Sequence, residues 1–552
     1  MRWSVFIPSV LFSLFMVLGS SFHCAGDWSL VFGSYKRLAL SLVLFIGYFV
    51  LFYLCIPCFF RLLDSGLLHR WSATQNKVLY FIFNKHSLAA PWMIILICWL
   101  PFLIAFFPGC VSWDMFGQLK QYFGIWELTS HQPPLSTLLV GFCLQTGRSL
   151  GSENLGIFFY TALQTIAFSF SLSFSIFYMG KIKAPYWLRI FALVFFALCP
   201  LFPGYAQWVV KDTIFTAAMI LYLIFLIELV RRPENILYRP LRLTCFILII
   251  LLVSMFRNNG VYIIFLSAPF LLFTLKTKKN RRIILSVLLG TLILLTCYSK
   301  ILLPAVGVSK GSIAEALSIP LQQTARYVKI HGNEVTPEEK EAIDKILDYD
   351  RLAELYNPEI SDPVKATFRK DASTEDIKAY FTVWFQGLCK HPETYIQATM
   401  HNVYGYFYPN VCIWEYNGRG FSTTTAPDEQ GDFHFHTIGA FGKVRSLLEK
   451  WSIAWNKIPV IGIFYRLGNY TWLIILLACY LFSRKNYRET ILLLPYLLLI
   501  LVCIASPVNR YVRYFLPIIS SLPVVFAALL FMLRTKKEDN KNHFEISDKT
   551  AE

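Results

Sequence analysis

Charge is what this chain lacks most. Only 15% of its 552 residues are Asp, Glu, Lys or Arg, where soluble domains carry about 25%. A water-facing globular surface cannot be built from so few. Acids are scarcer than bases, 34 against 51. No Walker-type or glycine-rich dinucleotide motif occurs, so the usual phosphate cradles of nucleotide-dependent enzymes are missing. The 13 cysteines have no metal-ligand spacing. Cys55, Cys98, Cys199, Cys245, Cys479 and Cys503 lie inside apolar runs, where a thiol acts as a small hydrophobe. Sequence alone neither joins nor separates Cys389 and Cys412. Internal repeats are also missing, which counts against transporters built from duplicated halves.

Long apolar runs take the place of charge: 56% of the residues are hydrophobic and mean hydropathy is +0.51. A spanning helix needs about 20 mostly apolar residues. Such segments run from Val5 to Ser21, Leu38 to Phe60, Ala90 to Phe107, Leu155 to Met179, Trp187 to Phe202 and Val209 to Val230. They continue from Leu241 to Met255, Val261 to Leu275, Ile283 to Leu303, Asn469 to Phe482, Ile491 to Ser506 and Phe515 to Met532. The expectation is an all-α polytopic membrane protein with about 12 spans. The first run follows Arg2 as in a signal peptide, but a second span comes at once and no small-x-small cleavage site precedes it. It reads as an uncleaved signal-anchor.

Lysine and arginine collect in alternate loops: Arg61 to Lys85, Lys181 to Arg189, Arg231 to Arg242, Lys276 to Arg282, Arg484 to Arg488, and the tail from Arg534. The positive-inside rule makes that face, and both termini, cytoplasmic. The net charge of +17 is then a topology signal, with no nucleic-acid signature. The expected organisation is a two-span element (1–60), a membrane domain (61–303) with a catalytic first outer loop (108–154), an extracytoplasmic helical domain (304–457), C-terminal spans (458–533) and a cytoplasmic polar tail (534–552). Within the outer loop, Leu135 to Leu144 is too short to span and predicts a re-entrant or interfacial half-helix. Thr336-Pro337-Glu338-Glu339 is a capping box, Thr374 to Leu388 has helical spacing, and Pro392-Glu393 opens another helix towards Tyr406. Tyr408 to Asp432 reads as a long loop.

Asp114, in Ser112-Trp113-Asp114, is an acid at the lip of a span, an expensive place for a charge and so a functional candidate. Cations gather at outer span ends, where the positive-inside rule gives no reason for them: Lys211 beside Asp212, Arg257, and Arg510 with Arg513. Gln323 and Arg326 follow the ninth span, and His131 precedes Pro133-Pro134. An anionic lipid headgroup at that depth would account for them, because Arg and Lys grip phosphate through charge-assisted hydrogen bonds. A lipid phosphate is already a good leaving group and needs no proton from an acid, so one carboxylate suffices as base. Glycosidases need two. Plainer uses exist for each residue. Asp114 could solvate the loop or cap a helix from Met115 to Tyr122, and Lys211-Asp212 could be a pair at a helix start. Arg510 and Arg513 could snorkel, and His131 could be structural. Trp113, Trp208 and Tyr511 read as interfacial belt residues.

These motifs, together with His131-Gln132-Pro133-Pro134, Trp208 to Asp212, Pro320 to Val328 and Asn402 to Pro409, resemble an uncharacterised bacterial family of GT-C-like membrane proteins. The GT-C superfamily comprises glycosyltransferases using polyprenyl-phosphate-linked sugars. The resemblance covers most of the chain after about Ala90. It implies that Asp114 is the catalytic base or helps hold a divalent metal (Mg or Mn). Met115 stands where many members have a second acid, which favours the lone base. It also implies that Lys211, Arg257, Arg510 or Arg513 faces the donor phosphate. The expected partners are a polyprenyl-phosphate sugar, a cell-envelope glycan or polymer acceptor, and membrane lipids. The expected place is a bacterial cytoplasmic membrane with the site facing outward. Two other functions compete: a lipid-linked oligosaccharide flippase or exporter, and an envelope glycan ligase or polymerase.

Overall fold

In hydrocarbon every backbone N–H and C=O must find its partner inside the segment, which leaves helices as the solution for apolar runs like these. The computed structural model describes residues 2–71, 74–413, 425, 428, 431–506 and 508–549. Among them the protein is all-α except for two two-residue strands, β1 (Cys110–Val111) and β2 (Trp208–Val209). Six helices are long and apolar enough to cross a membrane: Trp3–Ala25, Tyr35–Asp64, Glu153–Lys181, Lys211–Arg231, Lys278–Ala305 and Val512–Arg534. Two bent pairs, Lys77–Lys85 with Ala89–Ala105 and Tyr186–Leu198 with Leu201–Gln207, raise this to eight if each counts as one span.

The count is therefore six to eight, against an expectation of about 12. The other four expected segments are helical but short: Pro240–Phe256, Gly260–Thr274, Leu467–Ser483 and Leu494–Ala505, of 12 to 17 residues. Polar turns shorten them. Arg257-Asn258-Asn259 stops one helix and Gly260 starts the next.

Apolar packing alone drives helices together weakly in lipid, so polar contacts add to it. Along Glu153–Lys181, Ser169, Ser171, Ser173 and Ser175 are buried. Trp92 donates to Ser169 Oγ at 2.9 Å, and Ser173 donates to the Leu88 carbonyl at 2.8 Å. Gln164 donates to the carbonyls of both Ala206 and Trp208 at 2.8 Å, fixing the approach to β2.

The segment after Pro304 has a core of its own, with Leu321, Ala325, Val328, Ile343, Ile346, Leu352 and Tyr380 buried together. The Thr336–Glu339 capping box forms as expected and starts the Pro337–Asp344 helix. Ser373 and Asp376 make a second box for Thr374–Lys390. Each such cap is worth about 1 kcal/mol. The Pro392–Val403 helix ends in a tight turn over Tyr404–Tyr406. The expected half-helix is longer than predicted, Pro134–Ser149. No disulfide forms among the described residues, so Cys389 and Cys412 are not joined. Most of the expected 408–432 loop lies outside the described residues.

Candidate functional site

Two chain segments that are far apart in sequence run side by side. β1 and β2 pair in parallel with Cys110 opposite Trp208 and Val111 opposite Val209. Continuing that register sets Trp113 against Lys211 and Asp114 against Asp212. Each strand runs straight into a helix, Trp113–Tyr122 and Lys211–Arg231. Two helix N-termini, each carrying partial positive charge, therefore stand together.

Several contacts hold the pairing. Ser112 Oγ donates to the Val209 carbonyl at 3.0 Å and accepts from Met115 N–H, so Ser112 caps the helix and Asp114 is left for other work. The Cys110 N–H donates to Gln207 Oε1. Gly109, at φ +124°, is needed because a Cβ there would meet Thr161 Oγ1 and the Gln207 carbonyl. Met115, Phe116 and Leu119 bury the other face of the helix against Val140, Leu144 and Tyr160.

At this junction Asp114 Oδ2 lies 2.8 Å from an Arg513 guanidinium nitrogen and 3.4 Å from Lys211 Nζ. Lys211 also donates to Gln132 Oε1. Behind them Asp212, 1% exposed, sits 3.2 Å from Arg257 and 3.9 Å from Arg513 Nε. Tyr514 contacts both arginines: Arg257 lies 4.3 Å from its ring centre and Arg513 5.2 Å, with Tyr511 4.6 Å from Arg513. Aromatic faces hold guanidiniums in place without neutralising them. Three cations face two carboxylates, leaving one excess positive charge. Asp114, at 31% exposed, is the member most open to solvent. Burial would raise its carboxyl, but the charges and hydrogen bonds of Arg513 and Lys211 outweigh burial and hold it well below the usual carboxylate range.

Thus Asp114, Lys211, Asp212, Arg257 and Arg513 come together, and four other candidates do not join them. Arg510 is buried on Glu359, with both carboxylate oxygens 2.5 Å from one guanidinium nitrogen. Gln323 bonds Thr399 at 2.9 Å and accepts from Trp384, and Arg326 bonds Tyr356 and Gln397; both knit the Ser318–His331 helix to its neighbours. His131 is exposed, and its carbonyl accepts from Asn258. The two carboxylates here do not fit a divalent metal. Each already carries cations, which Mg or Mn would have to displace.

Sequence reasoning gave no role to three polar groups. Lys120, on the helix of Asp114, is buried and pairs with Asp428 at 3.1 Å and Asp432 at 3.2 Å. This pairing draws the returning chain over the helix, where Phe433 and Phe435 cover Phe116. Gln132 and Gln164 were the others. A glutamine in mid-span was the one available signal.

Residues 127–545 match the sequence model of a family of unknown function, DUF6020. The chain belongs to that family. The match includes Lys211, Asp212, Arg257 and Arg513 and begins after Asp114. No curated protein and no solved structure matches the chain.

Proposed function

We propose that the protein is an inverting membrane glycosyltransferase that moves a sugar from a polyprenyl-phosphate donor to a cell-envelope acceptor. One observation carries this reading: Asp114 is the open member of a cluster with surplus positive charge. Such a cluster attracts a phosphate and keeps one carboxylate beside it.

In the proposed reaction the acceptor oxygen attacks the anomeric carbon and its proton passes to an Asp114 oxygen. The anomeric C–O bond breaks, and polyprenyl phosphate departs with the electron pair. Arg513, Lys211 and Arg257 stabilise the departing charge. In the resting site Asp114 is too strongly paired to be a good base. An arriving phosphate would draw Arg513 and Lys211 to itself, and Asp114 would regain basicity as the donor binds.

An apolar groove of about 440 Å³ supports a lipid donor. It is lined by Leu100, Leu103, Phe107, Phe158 and Ile166 and bordered by Gly109 and Gln207, which immediately precede β1 and β2. The reading further takes the architecture as GT-C-like. If the bent pairs and the four shorter apolar helices also cross, the spans number 12. The site then faces outward from a bacterial cytoplasmic membrane, both termini lie in the cytoplasm, and the 304–457 segment receives the acceptor.

The test is incorporation of labelled sugar from polyprenyl phosphate into envelope polymer by reconstituted protein. Asp114→Asn should lower the rate by at least about a hundredfold with normal membrane insertion. Wild-type turnover in that variant would reject the base and favour a ligase that relies on arginines. Translocation of the lipid-linked sugar without covalent transfer would favour an exporter.

A further inference from the structure

We infer that His331, Glu334 and His391 form a binding site for a divalent transition cation of the zinc class. None of the three belongs to the Asp114 cluster, so this site and the transferase reading stand or fall separately.

The fold brings the three together from separate elements. His331 is the last residue of the Ser318–His331 helix, and Glu334 ends the turn Gly332–Glu334 that follows it. His391 is the joint between the Thr374–Lys390 and Pro392–Val403 helices. His331 Nδ1 lies 3.0 Å from Glu334 Oε1, and His391 Nε2 lies 3.0 Å from Glu334 Oε2. One ligand atom from each residue falls within 4.8 Å of the other two.

Zinc bonds imidazole nitrogen and carboxylate oxygen at about 2.0–2.2 Å, so the donors of a tetrahedral site stand roughly 3.3 Å apart. A turn of the Glu334 side chain, 58% exposed, opens its spacing to that value, and the two imidazoles must fan apart from their stack to aim both nitrogens at one ion. The imidazoles are better held, at 21% and 20% exposed. Their rings stack at 3.7 Å, with Tyr327 packed beside both.

One feature favours a cation over a hydrogen-bonded triad: Thr394 Oγ1 lies 3.0 Å from His331 Nε2. With that nitrogen donating to Thr394, the Nδ1 lone pair faces the Glu334 carboxylate, and a cation between them would satisfy both. A ligand imidazole anchored through its second nitrogen is the usual arrangement around a bound metal. Lys390, next to His391 in sequence, is already taken by Glu339. Three protein ligands leave a fourth position for water or an exchangeable group.

The experiment uses full-length protein in detergent, with any affinity tag removed, titrated with zinc chloride at pH 7.5 and followed by calorimetry and thermal unfolding. One saturable site per chain and a raised Tm are expected. Glu334→Gln and His391→Ala should each weaken zinc binding at least tenfold and abolish the rise. Magnesium chloride should do neither, since imidazole is a poor magnesium ligand. Absence of saturable zinc binding by the wild-type protein overturns the inference. So does unchanged binding in Glu334→Gln, a variant on an exposed turn that keeps the test valid if His391→Ala fails to fold.

Discussion

Asp114 and Asp212 occupy matching places after two paired strands, yet their surroundings separate them. Asp212 is sealed beneath Arg257 and Arg513, and removing it would strip the buried Arg257 of its carboxylate. Asp114 is reached by solvent and held ionised by Arg513 and Lys211. Because its folded-state pKa is depressed, its contribution to stability is complete above the unfolded carboxyl value of about 3.9. That contribution is lost as pH falls through the folded value. Asp114→Asn should therefore cost about 1–2 kcal/mol near neutral pH. The gap from wild type should stay constant from pH 7 down to about 5 and close below about pH 4. Thermal midpoints in detergent across that range would measure it. A gap that widened with acid would mean that the carboxyl is not held ionised.

The turn at Asn509–Tyr511 decides which arginine reaches the cluster. Arg510 adopts φ +58°, a left-handed conformation that costs a non-glycine residue roughly 1 kcal/mol. Asn509 holds it by accepting from Gly405 N–H at 3.0 Å and donating its own N–H to the Glu359 carbonyl. The turn sends Arg510 to Glu359 and Arg513, one helical turn later, to Asp114. Gly405 makes this possible, since a Cβ there would run into the Arg510 side chain. Gly405→Ala should destabilise by about 1–3 kcal/mol and displace Arg513, weakening donor use without touching the site directly. A donor titration of the variant would show it; an unchanged KM would mean that the turn does not set Arg513.

This turn also shows what sequence could reveal. Helices, capping boxes and the cations at the ends of apolar runs follow from local pattern, because 3.6-residue periodicity and cap chemistry are local properties. Arg510 and Arg513 look alike by every local measure. Only the contact with residue 359 tells them apart. The pairing of β1 with β2 was equally hidden, because two residues make too short a strand to leave an alternating pattern.

At the scale of the molecule the proposed chemistry depends on sidedness, because a polyprenyl-phosphate sugar outside the cell cannot serve a site inside it. Basic loops such as Lys181 to Arg189 lie at the opposite ends of the apolar helices from Asp114: the Glu153–Lys181 helix leaves the site region and ends at Lys181. The positive-inside rule predicts that Lys181 is cytoplasmic and that Glu127, in the loop between the Trp113–Tyr122 helix and Gln132, is outside. Both residues are exposed, so each can report. Substituted singly by cysteine in a background whose exposed native thiols, among them Cys24, Cys245 and Cys389, are replaced by serine, they should label differently. A membrane-impermeant maleimide should modify position 127 in intact cells and position 181 only after permeabilisation. The reverse pattern would put Asp114 in the cytosol, where the excess cations would face nucleotides and soluble phosphates, and the lipid-donor reading would fail with it.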